Sequence, residues 1–256
     1  MTVAVAILAT AWVAAAIADQ LRQRITLLVE AADARRRVEN RARDTLIFAL
    51  AKLAEHRDTD TGAHLARISA YSAALASRLA EAHEEIDTDW IDRIRVASSL
   101  HDIGKVGLPD GVLKKPGPLT DEERSLMQAH PALGADTLDA IRARDDGARE
   151  DPLLAMSEEI AAAHHERWDG TGYPGGRAGG DNPLAARIVA LADEYDALTS
   201  RRVYKPPMPH EEARRIIEEG RGSQFDPGVI DAFLTIEDRF RAIRDDFDAA
   251  ESPASS

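Results

Sequence analysis

The sequence predicts an all-α protein, and three observations carry that prediction. The composition is rich in Ala, Leu, Arg and Glu and only 5% aromatic, which suits helices better than sheets. No stretch alternates apolar and polar residues as a half-buried strand would, and no segment repeats. Gly and Pro instead divide the chain into pieces of helical length. At 256 residues the chain is long enough for a substantial core. It has no cysteine, so disulfides, thiolate catalysis and Cys-based zinc sites are excluded, and any metal must be held by His, Asp and Glu. Acidic side chains outnumber basic ones by 45 to 32, a formal charge of −13, which argues against a nucleic-acid polymer as partner.

The first element is an apolar run over residues 3–18, broken only by Thr10 and followed by Asp19, Arg22 and Arg24. A membrane span needs about 20 residues, and about 17 at the least, so this Ala-rich run is a short candidate for one. The arginines behind it would leave the remaining chain in the cytoplasm, anchored at an inner membrane. No basic residue precedes the run, unlike a cleavable signal peptide. The alternative is a buried or oligomer-forming helix of a cytoplasmic protein. Residues 21–43 continue as a helical linker in which Leu21, Ile25 and Leu28 recur at 4-then-3 spacing. That spacing suits a homodimer through the N-terminal helix, although Arg35 and Glu39 fall on the projected seam and a single solvated helix fits nearly as well.

Residues 44–248 form the expected globular domain, and residues 249–256 a small polar tail. Helices are expected near 45–57, 60–82, 87–103, 120–130, 131–143, 155–166, 183–200, 209–219 and 226–247. Two long connections remain, 107–119 and 169–182, and loops of that length in a compact helical domain are often functional.

The chemistry-bearing candidates are His64, His101, Asp102, His130, His164, His165 and Asp193, each on or beside an apolar helical segment. An unpaired charge or imidazole in such a setting is costly. One such residue is more often a satisfied core polar group than a ligand, but this set uses five of the chain's eight histidines. Mixed imidazole and carboxylate donors suit iron or manganese, with zinc, cobalt or nickel as alternatives, and an adjacent His-Asp pair can serve neighbouring metals with the carboxylate between them. Two such ions polarise a phosphoryl group and supply a hydroxide nucleophile at neutral pH. Lys105 follows His101 by four residues and shares its face if the helix continues, where an ammonium could meet charge building on a phosphate. The stretch His164-His165-Glu166-Arg167-Trp168-Asp169-Gly170-Thr171-Gly172-Tyr173-Pro174 sets two imidazoles at the lip of a Gly-rich loop whose backbone can approach an anion.

His101-Asp102-Ile103-Gly104-Lys105 together with Gly172-Tyr173-Pro174 resembles the HD-GYP family, the helical metal-dependent phosphodiesterases of cyclic di-GMP. The likeness covers most of residues 57–230, including Thr61-Gly62, His64, Arg67-Ile68, His130, His164-His165-Glu166, Asp169-Gly170, Asp193, Asp196-Ala197-Leu198-Thr199-Ser200 and Phe225-Asp226-Pro227. The resemblance implies an HD-superfamily helical fold and hydrolysis of cyclic di-GMP to pGpG, and to GMP in some members. It implies metal ligation by His64, His101, Asp102, His130, His164, His165 and Asp193, and assistance to the phosphate by Lys105. Substrate contacts would come from Gly172, Tyr173, Asp196, Arg202 and Lys205. Two departures stand out. Asp60 occupies the position of a Glu that binds a third ion in some members, and its shorter side chain implies a weak or empty third site. Val203 stands where the family has Pro. The competing function is a non-catalytic cyclic di-GMP sensor, which would be expected to lose ligands or the Gly-Tyr-Pro loop; this chain keeps both.

Overall fold

A computed structural model of the chain describes residues 2–55, 63–200 and 207–251. Asp60, Arg202, Val203 and Lys205 lie outside these. Among the described residues there is no strand, only the isolated bridges Asp169–Ala178 and Arg221–Phe225. The all-α expectation holds because the composition supplies helix formers throughout and no face of period two.

The chain divides into two units, Met1–Leu46 and Ile47–Ser256. The first unit is the greater part of helix α1 (Thr2–Glu55). Over residues 17–43 its side chains are exposed, with Leu21, Ile25 and Leu28 at 55%, 60% and 69% exposure. Arg35 and Glu39, the charged pair on the seam, bond to each other at 2.7 Å as an i,i+4 pair. No helix among the described residues is long and apolar enough to cross a membrane. The inner-membrane anchor expected from residues 3–18 is therefore not supported. The apolar stretch is short for a span, and Ala contributes little of the hydrophobicity that insertion requires.

The second unit is built on helices α2 (His64–Leu79) and α9 (Leu184–Thr199). On α2, Leu65, Ile68, Tyr71, Leu75 and Leu79 recur at three- and four-residue intervals and are all buried. On α9, Ala185, Ile188, Val189, Ala192 and Tyr195 do the same. Their faces meet over an aromatic nucleus in which Tyr71 stacks on Phe240 at 4.5 Å and crosses Tyr195 edge to face at 5.2 Å. Around them stand α3 (Thr88–Ala97), α6 (His130–Arg142), α8 (Pro152–Ala163), α10 (His210–Glu219), α11 (Pro227–Thr235) and α12 (Glu237–Glu251), with short α4 (Asp110–Leu113), α5 (Asp121–Met127) and α7 (Asp146–Arg149) in the connections.

Local chemistry fixes several starts. Asp87 accepts from Trp90 N at 2.7 Å to begin α3, and Thr120 with Glu123 forms a reciprocal capping box for α5. Asp151 caps α8 ahead of Pro152, three residues earlier than the pattern alone suggested. Two expected helices are broken. The segment 87–103 leaves α geometry after Ala97, continues as a 3₁₀ turn over Ser98–Leu100, and turns again at Asp102 (φ −100°, ψ 11°) into a second 3₁₀ turn, Ile103–Gly107. The segment 226–247 splits at Ile236 into α11 and α12, where neither Gly nor Pro gives warning.

Gly104 holds the second 3₁₀ turn against the start of α6. A Cβ there would lie 1.9 Å from His130 O and 2.5 Å from Gly134 N, both backbone atoms that cannot step aside. Gly104→Ala is expected to cost about 1–3 kcal/mol in urea denaturation, as overpacking does, and to weaken metal binding because the displaced backbone carries His130. Gly111→Ala, with nothing within 4 Å of its Cβ, serves as the control and should change stability by less than about 0.5 kcal/mol.

Candidate metal centre

Five elements deliver the site, and most do so at their ends. His64 opens α2, His130 opens α6, and His164 caps the C-terminus of α8 with His165 just beyond it. His101 and Asp102 sit in the bend between the two 3₁₀ turns, and Asp193 lies in the middle of α9. The side chains converge into two groups, Asp102 with His130, His164 and His165, and His64 with His101 and Asp193. Within each group the candidate donor atoms all lie within 4.8 Å of one another.

Asp102 faces both groups. Its Oδ1 lies 3.1 Å from His130 Nε2 and 3.6 Å from His164 Nε2, while its Oδ2 lies 3.3 Å from His101 Nε2. Lys105 Nζ is 2.7 Å from the same Oδ2. The lysine therefore reaches Asp102 at i,i+3 across the 3₁₀ turn, not the face of His101 at i,i+4, because the α-helix has already ended.

The imidazoles are anchored through their other nitrogen. His101 Nδ1 is 2.9 Å from Ser98 O, His130 Nδ1 2.8 Å from Met127 O, and His164 Nδ1 3.0 Å from Ile160 O. His64 Nδ1 is 2.7 Å from Asp196 Oδ2. A carbonyl can only accept, so Nδ1 carries the proton in the first three and Nε2 is left as the donor atom turned to the centre. Two atoms test whether these residues suit a divalent ion. His101 Nε2 and Asp102 Oδ1 are buried and make no hydrogen bond of ordinary geometry. A divalent cation would satisfy both, and the hard and borderline donor set fits one.

In the metal-free centre His101 is charged while His164 and His165 are neutral, so a bound metal would displace a proton from His101. Burial would raise the Asp102 carboxyl, but Lys105 and His101 hold it well below the usual carboxylate range. Burial pushes the His101 imidazole down, yet the Asp102 carboxylate outweighs it and raises the group to about 9. Burial, together with His164 and His130, pushes His165 down to about 2, and burial also lowers His164. These two imidazoles stay neutral, as ligands must be.

Asp196 is a correction to the expected substrate contacts. It is 1% exposed and takes Arg67 Nε at 2.5 Å, one guanidinium Nη at 3.0 Å, and His64 at 2.7 Å. Its oxygens are engaged by His64 and Arg67, and it is not among the residues bordering the cleft beside the candidate ligands, an arrangement that positions His64. Arg67, also 1% exposed, carried no assigned role in the sequence. The available signal was its position three residues after His64, on the same face of α2.

The Gly-Tyr-Pro loop packs directly on the His-His-Glu backbone. A Cβ on Gly172 would lie 2.4 Å from Arg167 N and 2.6 Å from His165 O, so only Gly fits this approach. Tyr173 N donates to His165 O at 3.2 Å, and the two rings stack at 4.6 Å. Glu166, buried and likewise without an assigned role, accepts from Gly175 N at 2.6 Å and Arg177 N at 3.1 Å and so ties down the loop. A cleft bordered by His164, His165, Gly172, Tyr173, Asp193 and Gln224 opens beside the candidate ligands.

This fold and donor set define an HD-type helical domain. A family model described as an HD domain matches residues 38–229, and the chain belongs to that family. Its His-Asp and Gly-Tyr-Pro sequences place it in the HD-GYP branch. A cyclic di-GMP phosphodiesterase of Vibrio cholerae is 50% identical over 213 residues, covering 81% of this chain and 42% of the relative. A 3′3′-cGAMP-specific phosphodiesterase of the same organism is 40% identical over 199 residues, covering 78% of this chain and 36% of the relative. The chain thus spans less than half the length of these relatives. The crystal structure of a cyclic GMP-AMP specific phosphodiesterase from V. cholerae shares the fold, with a TM-score of 0.55 at 19% identity over 78% of this chain and 50% of that one.

Removing one partner of the buried Arg67–Asp196 pair leaves a charge uncompensated. Arg67→Ala is expected to lose about 3–5 kcal/mol in chemical denaturation. Asp196→Asn, which keeps the shape but weakens the hold on His64, should reduce Mn(II) affinity about tenfold to hundredfold in a metal titration.

Proposed function

We propose that the chain hydrolyses the 3′–5′ phosphodiester of cyclic di-GMP to pGpG with two divalent ions, iron or manganese by the donor set. The reading is carried by Asp102, whose two oxygens face separate groups of imidazoles. The cyclic di-GMP phosphodiesterase activity of the 50% identical V. cholerae relative supports the same substrate class. Bound divalent ions would supply Lewis-acid activation of water and of the phosphoryl group.

The chain's own residues do the rest. His64, His101 and Asp193 would hold one ion and His130, His164 and His165 the other, with Asp102 between them. The Nδ1 anchors fix each ring before metal or substrate arrives, so little reorganisation is needed. Lys105 keeps Asp102 ionised and holds an ammonium beside the centre, where it can offset charge developing on the phosphate. Gly172 and Tyr173 form one wall for the dinucleotide. Arg202 and Lys205 are assigned to its phosphates and bases from the family resemblance. Asp60, a methylene shorter than the family's Glu, is assigned a third ion that binds weakly. The exposed Leu21, Ile25 and Leu28 on α1 are assigned to a second copy of the chain.

Protein purified anaerobically should carry about two ions per chain and convert cyclic di-GMP to pGpG faster than it converts 3′3′-cGAMP. His101→Ala or Asp102→Ala should abolish turnover and lower metal content together. Tight binding of cyclic di-GMP by the metal-loaded protein without turnover would establish the sensor reading instead. Light scattering should give twice the chain mass, and Leu28→Lys should shift it toward the single-chain value.

A further inference from the structure

We infer that Glu55 is an additional ligand of the ion on the His64 side of the centre. The last residue of α1, it precedes His64 by nine positions and belongs to no metal-binding spacing in the sequence. Its Oε1 lies 3.7 Å from His64 Nε2, and its side chain is only 11% exposed. Asp193 Oδ1, one of the candidate donors, lies at the same 3.7 Å from the same nitrogen. With metal–ligand bonds of about 2.0–2.2 Å, two donors on one ion stand about 3–4 Å apart, and both carboxylates meet that separation from His64.

The direction of His64 makes the separation meaningful. Its Nδ1 is taken by Asp196, so Nε2 is the nitrogen that faces the centre, and Glu55 approaches that nitrogen. The Nε2 of fully buried His101, which makes no hydrogen bond of ordinary geometry, belongs to the group of His64 and Asp193, an independent sign that the space calls for a cation. With Asp102 between the two ions, His64, His101 and Asp193 complete four donors, two of them carboxylates. A fifth donor and third carboxylate would raise the oxygen content and negative charge of the site, which favours manganese and ferrous iron over zinc, whose sites close with four ligands. On this assignment the end of α1 contributes to the metal centre through Glu55.

The inference rests on the proposed metal centre but not on its substrate, so binding is measured without nucleotide. The unmodified chain, Glu55→Gln and Glu55→Asp are stripped of metal and titrated with Mn(II), and Co(II)-loaded samples are compared by their visible d–d spectra. In Glu55→Gln one of the two ions should bind about tenfold to hundredfold more weakly, the Co(II) spectrum should change, and Glu55→Asp should recover part of the affinity. The unfolding midpoint of metal-free Glu55→Gln should match that of the unmodified chain, which separates a lost ligand from a lost fold. Unchanged Mn(II) affinity would overturn the assignment. So would weakened affinity with an unchanged Co(II) spectrum, since the carboxylate would then act outside the coordination sphere. Failure of the unmodified, metal-loaded chain to hydrolyse cyclic di-GMP would instead count against the proposed function and leave this titration standing.

Discussion

The carboxylate of Asp102 stands among three imidazoles and one ammonium in the interior of a helical domain, and the surrounding architecture serves to hold it there. An isolated carboxylate in such a place would be far too costly to keep ionised. Lys105 and His101 remove much of that cost, and the 3₁₀ turn that brings the lysine back within reach depends on a glycine at position 104. The backbone contact between that turn and the start of α6 then fixes His130 relative to Asp102. One electrostatic requirement thus reaches backward into the geometry of two elements.

Helix ends are the means by which the fold gathers its donors. A side chain at a terminus can point along the axis, and the last carbonyls of a helix have no intrahelical partner. His101, beside Ser98 O, and His164, beside Ile160 O, place their Nδ1 against carbonyls of the preceding turn, so the backbone sets both tautomer and direction. His64 places its Nδ1 against Asp196, which is in turn held by Arg67. Anchoring of one nitrogen is therefore a shared device, met by backbone at His101, His130 and His164 and by a buried ion pair at His64.

The loop carrying Gly172 and Tyr173 is a second structure built on the first. It lies against the backbone of His165 to Arg167, and Glu166 binds its far side through two amides. The His-His-Glu triplet thus ties the candidate donors and the Gly-Tyr-Pro loop to one stretch of backbone. Any shift of α8 would move both together.

The sequence by itself determined the helical class, the donor types and most of the candidate residues. Helix-forming composition, the absence of cysteine and seven His and Asp residues in apolar settings are local properties that survive without coordinates. It did not determine where helices break. The turn after Ala97 and the split at Ile236 contain no proline at the break, and the residues beside them, Ala97 and Phe240, are fully buried. Nor did it determine partnership. Asp196 read as a substrate contact and Arg67 carried no role, because whether a carboxylate faces a ligand or a buried cation depends here on a residue more than a hundred positions away. Glu55, which ends a helix nine residues before His64, comes near the centre through folding alone. Residue chemistry is written in one dimension, whereas the pairing that makes a buried charge tolerable exists only once the chain has closed around it.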